Sequence, residues 1–278
     1  MTAFGPELPR LTELAPGVRR LLAPNPSMMT GPGTNTYLFG TCEIAVVDPG
    51  PNLEEHIERI EQTAGATIRW ILVTHTHPDH SPAAMPLAKR TGAEVLGIPA
   101  PRGKQQDMTF SPDRVLADGD VLETDKFVLE AVHTPGHASN HLCYRHAETD
   151  WIVTGDQVID GSTVVISPPD GDMKHYIDSL RRLKGLSCGA LLPGHGDRID
   201  DPARAIDWII DHRLEREAKV LAALQVNPSL SSHDLVPRVY RDVPEHLYGL
   251  AERSLLAHLL KLESDGIAAE IRGKWTVK

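Results

Sequence analysis

The 278 residues are 41% hydrophobic and 24% charged, with a formal net charge of -10. This is an ordinary globular composition, long enough for one large domain or two, and too acidic to bind nucleic acid through bulk electrostatics. Cys42, Cys143 and Cys188 are odd in number and far apart, which excludes a disulfide framework or a CxxC zinc ribbon and fits small buried side chains in a reducing compartment. Met1 to Pro26 is broken by prolines and carries Glu7 and Glu13 without an apolar signal core, and no run approaches a membrane span, so a cytoplasmic protein without membrane contact is expected.

Val18 to Leu22 reads as a first strand, followed by a Pro/Gly-rich loop, Ala23 to Gly33, and a Thr- and aromatic-rich strand, Thr34 to Phe39. Glu43 to Asp48 is an apolar strand closed by Pro49-Gly50-Pro51, where Asp48 reads as a turn residue. Leu53 to Ala64 has helical spacing through Ile57 and Ile60, with Gly65 as a stop.

Next comes Trp70-Ile71-Leu72-Val73-Thr74-His75-Thr76-His77-Pro78-Asp79-His80-Ser81, an apolar run ending in four metal-capable side chains. Residues two apart share a face of an extended chain, and Pro78 keeps His77 out of the helical region. His75 and His77 can therefore converge on one ion, while Asp79 and His80 aim elsewhere. Imidazole and carboxylate together suit zinc, and to a lesser degree iron or manganese.

Ser81-Pro82 reads as the cap and first residue of a helix that Pro86 shortens or kinks before Gly92. Glu94 to Gly97 is a short strand and residues 99–113 a surface loop. Strands follow at Phe127 to Val132, Leu142 to Tyr144 and Trp151 to Thr154, then a helix near His175 to Lys184 and a strand at Ala190 to Leu192. A repeated feature emerges: Asp48, His75, His137, Asp156 and His195 each sit near the end of an apolar strand, and all but His75 have glycine close by. Ligands on strand ends and loops are what a preorganised metal site requires. Mixed strands and helices over this length fit sheets covered by helices.

Beyond Asp200, Ala203 to Gln225 is a long amphipathic helix, Ser231-Ser232 caps a second, and Glu245 to Leu262 is a third. Gly266 ends it, and Ile267 to Val277 reads as a hairpin around Arg272-Gly273. Three helices and a hairpin make a winged-helix-like module. From residue 201 onward 11 Lys+Arg stand against 12 Asp+Glu, which favours a protein-packing role over nucleic-acid binding.

The chain resembles the metallo-β-lactamase fold superfamily. The likeness rests on Asp48, His75-x-His77-x-Asp79-His80, His137, Asp156 and His195 in the family's order. It is nearest the glyoxalase II and β-lactamase-like protein 2 branch, through Gly33-Thr34-Asn35-Thr36-Tyr37-Leu38, His133-Thr134-Pro135-Gly136-His137 and Pro193-Gly194-His195-Gly196. The helical C-terminal module, with its His212-Arg213 and Arg216-Glu217 stretch, resembles the winged helix of the β-lactamase-like protein 2 group. The implied fold is α/β: an αββα metallo-β-lactamase sandwich over 1–200, then a winged-helix-like domain over 201–278.

The resemblance implies two divalent ions, zinc first, with iron or manganese as alternatives. His75, His77 and His137 would hold one; Asp79, His80 and His195 would hold the other, with Asp156 bridging. Asp48 would orient ligands without binding metal. Ala138 stands where the family commonly has threonine, and Pro86 falls where its helix begins; neither touches a ligand. The implied chemistry is hydrolysis by a metal-bridging hydroxide, oriented by Asp79 and Asp156. The substrate is expected to be a small ester, thioester or lactone. Single-stranded RNA cleavage and iron-dependent persulfide dioxygenation are the alternatives, and a homodimer is left open. His133 is expected to play a structural hydrogen-bonding role, and His141 and His175 are candidates for touching substrate.

Overall fold

The computed structural model describes residues 11–278 except Lys104, so the expectation for Met1 to Arg10 lies outside the described residues. The chain forms two compact units: residues up to Thr134 with Asn140–Ser162 and Ser187–Pro202, and Pro135–Ser139 with Thr163–Leu186 and Ala203–Lys278.

The first unit contains β1 (Leu11–Ala15), β2 (Val18–Leu22), β3 (Asn35–Phe39), β4 (Glu43–Val47), α1 (Glu54–Ala64), β5 (Thr67–Leu72), α2 (Ala84–Thr91), β6 (Glu94–Gly97) and β7 (Arg114–Val115), followed by β8 (Val121–Glu123), β9 (Val128–His133), β10 (Leu142–His146), β11 (Trp151–Gly155) and β12 (Ala190–Pro193). Strands β1 to β7 make one sheet in chain order, and the second runs β12-β11-β10-β9-β8. In the first, β4, β5, β6 and β7 are parallel neighbours; in the second, β11 and β12 are.

Period-two alternation divides the strand residues between two cores. Tyr37, Phe39, Ala45, Val47 and Leu72 from the first sheet meet Leu129, Leu142, Tyr144, Val153 and Leu192 from the second. The intervening Leu38, Ile44, Val46 and Ile71 pack with Ile57 and Ile60 of α1 and Leu87 of α2. Both faces of β3 and β4 are thus buried, which is why β4 reads as a continuous apolar run rather than an alternating one. Each fully buried Ile or Leu contributes about 1.5–3 kcal/mol.

One boundary needs correction. Helix α2 starts at Ala84, not at Ser81-Pro82, and its cap Ala83 makes no side-chain hydrogen bond. Pro86 thereby falls in the first turn, where its missing N–H has no intrahelical partner to lose. Ser81 instead donates its hydroxyl to Asp107 Oδ2 at 2.7 Å. Strands β1, β7 and β8 carry too little apolar pattern to be read in advance; β7 spans only two residues.

The second unit contains α3 (Met173–Gly185), α4 (Pro202–Val226), α5 (Ser232–Val239), a 3-10 turn (Glu245–Leu247), α6 (Tyr248–Ser264) and the hairpin β13 (Ala268–Ile271) and β14 (Lys274–Val277). Ser231 caps α5 by accepting from Asp234 N–H, as its sequence predicts. Val220 and Leu224 of α4 pack with Leu235 and Val236 of α5, Leu255 and Leu259 of α6, and Trp275 of β14. Arg272 (φ 52°) and Gly273 (φ 79°) close the hairpin, the paired positive dihedrals of a type I′ turn. Among the described residues no helix is long and apolar enough to cross a membrane.

Candidate metal centre

Strand ends place the site. Asp48 follows β4 and His75 follows the neighbouring parallel β5; Asp156 follows β11 and His195 follows its parallel neighbour β12. Carboxyl ends of parallel strands open onto one side of a sheet, where loops are free to carry polar groups. The two sheets are tied beside these ends. Leu142 N–H donates to Thr74 O (2.7 Å) and Asn35 N–H to Gly194 O (2.8 Å), while the Asn35 amide donates to Pro193 O and Gly196 O, both at 2.9 Å.

Two groups of side chains bring their ligand atoms within 4.8 Å of one another in this unit: His75, His80 and Asp156; and Asp79, His80 and His195. The spacing around His80 and His195 is informative. His195 Nε2 lies 3.2 Å from Asp79 Oδ2 and 3.4 Å from Asp156 Oδ1; His80 Nε2 lies 3.6 Å from Asp79 Oδ2 and 3.4 Å from Asp156 Oδ1. Donors about 2.1 Å from a tetrahedral ion stand about 3.4 Å from each other. Four donor pairs fall close to that separation. His75 Nε2 and His77 Nδ1 likewise converge to 3.0 Å, although both residues lie beyond the end of β5.

Hydrogen bonds on the far side of each ring fix which nitrogen faces inward. His80 Nδ1 donates to Asp48 Oδ2 at 2.8 Å, and His195 Nδ1 donates to Gly33 O at 3.1 Å. Thr74 Oγ1 donates to Asp48 Oδ2 (2.8 Å), so it can only accept from His75 Nδ1 (3.0 Å). His137 lies on Pro135–Ser139, in the second unit, where its Nδ1 donates to Val165 O at 3.0 Å. In the neutral tautomer each of these four rings therefore carries its lone pair on Nε2. A ring that donates one N–H to an acceptor and presents the other nitrogen is the usual state of a metal-binding histidine. His80 is fully buried, yet its Nε2 has no hydrogen-bond partner; such a nitrogen is costly unless something is bound to it. The donor set fits a divalent ion.

Electrostatics points the same way. Burial would lower the His80 pKa, but the carboxylates of Asp79, Asp156 and Asp48 overcome it and hold the ring well above its usual value. His195 is raised against its own burial by Asp156 and Asp79. Burial likewise opposes ionisation of Asp79, and His80 and His195 outweigh it, keeping this carboxyl below the usual range. The cluster demands positive charge, which protons supply in the protein alone and a cation supplies by displacing them.

Glycine has a physical role here at two positions. A Cβ on Gly194 would stand 2.7 Å from His80 Cε1 and 2.9 Å from Asp156 Oδ1. At Gly155 (φ 46°) it would stand 2.6 Å from Thr74 Oγ1. Only glycine lets these two strand ends approach the candidate ligands and the Thr74 beside them so closely.

Sequence reasoning missed the supporting shell. Thr74 bridges Asp48 and His75. Thr36 Oγ1 donates to Asp48 O at 2.7 Å and accepts from buried His56 Nε2 at 2.9 Å. His141, expected as a candidate for substrate contact, is fully buried. Its Nδ1 bonds Thr134 Oγ1 (2.9 Å), its Nε2 accepts from Asp156 N–H (3.2 Å), and its ring stacks on His75 at 5.0 Å. It holds the backbone N–H of Asp156 from a fully buried position. His175 sits in the first turn of α3 with an exposed ring near its cap, Asp172. The signal for Thr74 was its place beside His75; nothing in the sequence marks His56.

Residues 29–195 match the metallo-beta-lactamase superfamily. The chain belongs to that superfamily. Residues 231–275 match the beta-lactamase associated winged helix domain, in accord with the helices and hairpin described above. A beta-lactamase-like protein 2 homolog from Drosophila melanogaster is 31% identical over 273 residues, covering 93% of this chain and 92% of its own. An atrochrysone carboxyl ACP thioesterase from Aspergillus fumigatus is 33% identical over 227 residues, 79% of this chain and 69% of its own. A crystal structure of a metallo-beta-lactamase family protein from Thermus thermophilus superposes with a TM-score of 0.81 at 21% identity, covering 96% of this chain and 100% of that one. The α/β fold followed by a winged helix is therefore that of the superfamily, and the protein is one of its metal-dependent hydrolases.

Proposed function

We propose that this metallo-beta-lactamase superfamily member is a two-metal hydrolase of thioesters or related small esters and lactones. The observation that carries the reading is the donor array around His80 and His195, with separations of 3.2–3.6 Å and Nδ1 atoms tied to Asp48 and Gly33. In this reading His75, His77 and His137 would hold one divalent ion and Asp79, His80 and His195 the other, with Asp156 shared between them. Zinc is the ion proposed, on the nitrogen-rich donor set. Two such ions lower the pKa of water toward neutrality and polarise a carbonyl oxygen.

The chain's own residues do the rest. Asp79 and Asp156 carboxylates orient the attacking water, and Asp156 is steadied through its backbone N–H by His141. Thr74 and Asp48 keep His75 and His80 in the binding tautomer. For a thioester, the water oxygen joins the acyl carbon and the C–S bond breaks. The water's protons end on the thiol and the carboxylic acid. The acidic chain supports a small acyl substrate over RNA, and the thioesterase named among the relatives supports a thioester. We place the catalytic domain at 1–200, the winged helix at 201–278, and the protein in the cytoplasm, a reading that its free cysteines support.

The test is thiol release from a panel of acyl thioesters by the zinc-loaded protein, beside metal-stripped enzyme and His77→Ala. Thioester cleavage that is lost in both controls supports the reading. Metal-dependent cleavage of labelled single-stranded RNA with no thiol release would replace it, and a single iron per chain without zinc would redirect it to oxidation.

A further inference from the structure

The His212-Arg213 and Arg216-Glu217 stretch of α4 has no part in the hydrolytic reading, yet both arginines are buried, at 3% and 8% exposure. Three residues apart on a helix, they share a face, and they follow one plan. Arg216 donates to Val239 O (3.1 Å) and lies over the Tyr240 ring, 4.4 Å from its centroid. Arg213 donates to Val164 O and lies over the Tyr176 ring at 5.5 Å. Arg216 is further clamped by both carboxylate oxygens of Asp242, at 3.0 and 2.9 Å. Among the described residues Arg213 has no such carboxylate, and its Nε makes no hydrogen bond. A charge buried on those terms is costly, so what it grips is informative.

It grips the seat of His137, and all of these residues belong to one compact unit. Val164 immediately precedes Val165, whose carbonyl accepts from His137 Nδ1 at 3.0 Å. Thr163 to Ile166 lies in no helix or strand, so side-chain hydrogen bonds take the place of a backbone ladder there. Tyr176 supports His137 from its other side. A Cβ on Gly136 would stand 2.3 Å from Tyr176 Cα, so the residue before His137 rests directly on the first turn of α3. Gly136 O also accepts from Asp172 N–H, and Pro135 O from Ser179 Oγ, both at 2.8 Å. Arg213 thus touches the support of His137 at two points: the segment that holds its ring and the helix turn under its backbone.

We propose that Arg213 is a positioning residue for the metal centre. It fixes Val164 and Val165 so that the His137 Nδ1 proton stays bonded and Nε2 keeps its lone pair for the ion. This rests on the reading above in which His137 holds metal. It deepens that reading by making α4, the helix that leads into the winged helix, a working part of the centre. A ligand ring whose acceptor drifts loses both its tautomer and its orientation. Arginine suits the task because a planar guanidinium donates to a carbonyl while covering an aromatic face, which a lysine ammonium does not reproduce.

The experiment measures zinc binding instead of turnover. The metal-free full chain is titrated with zinc against a chromophoric chelator, bound zinc per chain is counted by elemental analysis, and the metal-free melting temperature is recorded. Wild type should take two ions. Arg213→Met should weaken one of them by about 10-fold or more and leave the other within about twofold. Arg213→Lys, which keeps a donor for Val164 O, should fall between the two. Arg216→Met should lower the melting temperature and keep both ions, because its partners lie inside the winged helix. In a His137→Ala background, Arg213→Met should change zinc binding no further. Three results overturn the positioning role while leaving the two-ion reading intact: wild-type affinity for both ions in Arg213→Met, an equal loss in Arg216→Met, or a loss that persists undiminished without His137. If Arg213→Met does not fold, Arg213→Lys decides, and wild-type affinity for both ions in it overturns the proposal. Two ions bound by His137→Ala with wild-type affinity would remove the metal role of His137 and the inference with it.

Discussion

Asp48→Asn isolates how the chain tunes its metal donors, because it preserves shape and changes one atom. The native carboxylate accepts three hydrogen bonds. Oδ1 takes Thr74 N–H at 2.7 Å, and Oδ2 takes Thr74 Oγ1–H and His80 Nδ1–H, both at 2.8 Å. A carboxylate has acceptor capacity on both oxygens; a carboxamide has it on one. If the amide nitrogen of the substituted side chain replaces Oδ2, it faces the His80 N–H. The ring must then move its proton to Nε2, the atom that faces Asp79 and Asp156, and coordination is blocked. If the nitrogen replaces Oδ1, it faces a buried backbone N–H, and a buried donor without a partner costs about 1–3 kcal/mol. Neither orientation restores the native arrangement. The backbone is not the cause, since asparagine tolerates the positive φ of 50° found here.

Loss of such an orienting partner weakens metal binding about 10- to 100-fold, or about 1.4–2.8 kcal/mol. The assay is competition for zinc against a chromophoric chelator, with the melting temperature of the metal-free protein measured beside it. Asp48→Asn should show weaker zinc binding, a lower metal-free melting temperature, or both. In a His80→Ala background its effect on zinc affinity should shrink, because the ring it orients is gone. Zinc affinity within twofold of wild type together with an unchanged melting temperature would refute the tautomer argument.

Four further outcomes follow from the same geometry. Gly194→Ala drives a Cβ toward His80 Cε1 and Asp156 Oδ1, so metal content per chain should fall and kcat should drop by about 100-fold, as for a 1 Å misplacement. His141→Leu leaves Asp156 N–H buried without its acceptor and should lower kcat with little change in KM, whereas His141→Gln should recover part of the loss; steady-state kinetics on both variants decides. Zinc affinity should fall with decreasing pH, since His80 and His195, both raised, must release protons to bind metal; titrations across pH 5 to 8 check the sign. His56 is pushed down to about 4 by burial and then by Arg59. The unfolded chain therefore binds the extra proton, and stability is full above about pH 6.5 and falls by about 2 kcal/mol by about pH 5, a slope that denaturant midpoints of His56→Gln should lack.

The legible and illegible parts of this protein separate along a physical line. Interior strands were readable because β4 is buried almost throughout and leaves an apolar run, and β3 buries its aromatic and aliphatic residues on both faces, while β7 and β8 lie at sheet edges with little to bury. The helix at Ala84 escaped because Ser81 and Pro82 carry the right side chains for a helix start, but Asp107 had already claimed the Ser81 hydroxyl. Caps can be read from sequence only when no distant residue competes for the same oxygen. The winged helix was legible down to its Arg272-Gly273 turn because its signals are local.

The same distinction explains the site. Its candidate ligands stood out because histidine and aspartate at the ends of apolar strands are unusual, and each stays conspicuous in a stretch of a few residues. Their supports do not: Thr36, His56 and His141 acquire meaning only when strands distant in sequence are set side by side. Gly194 belongs with them, for its lack of a Cβ matters only because His80 and Asp156 arrive from elsewhere in the chain. A cluster with three carboxylates around two buried imidazoles would repel itself if its geometry were loose. The chain answers with fixed acceptors: Asp48 for His80 and Gly33 O for His195. The carboxylates attract the charge and the acceptors choose which nitrogen meets it, so the motif acquires its chemistry from residues outside the motif.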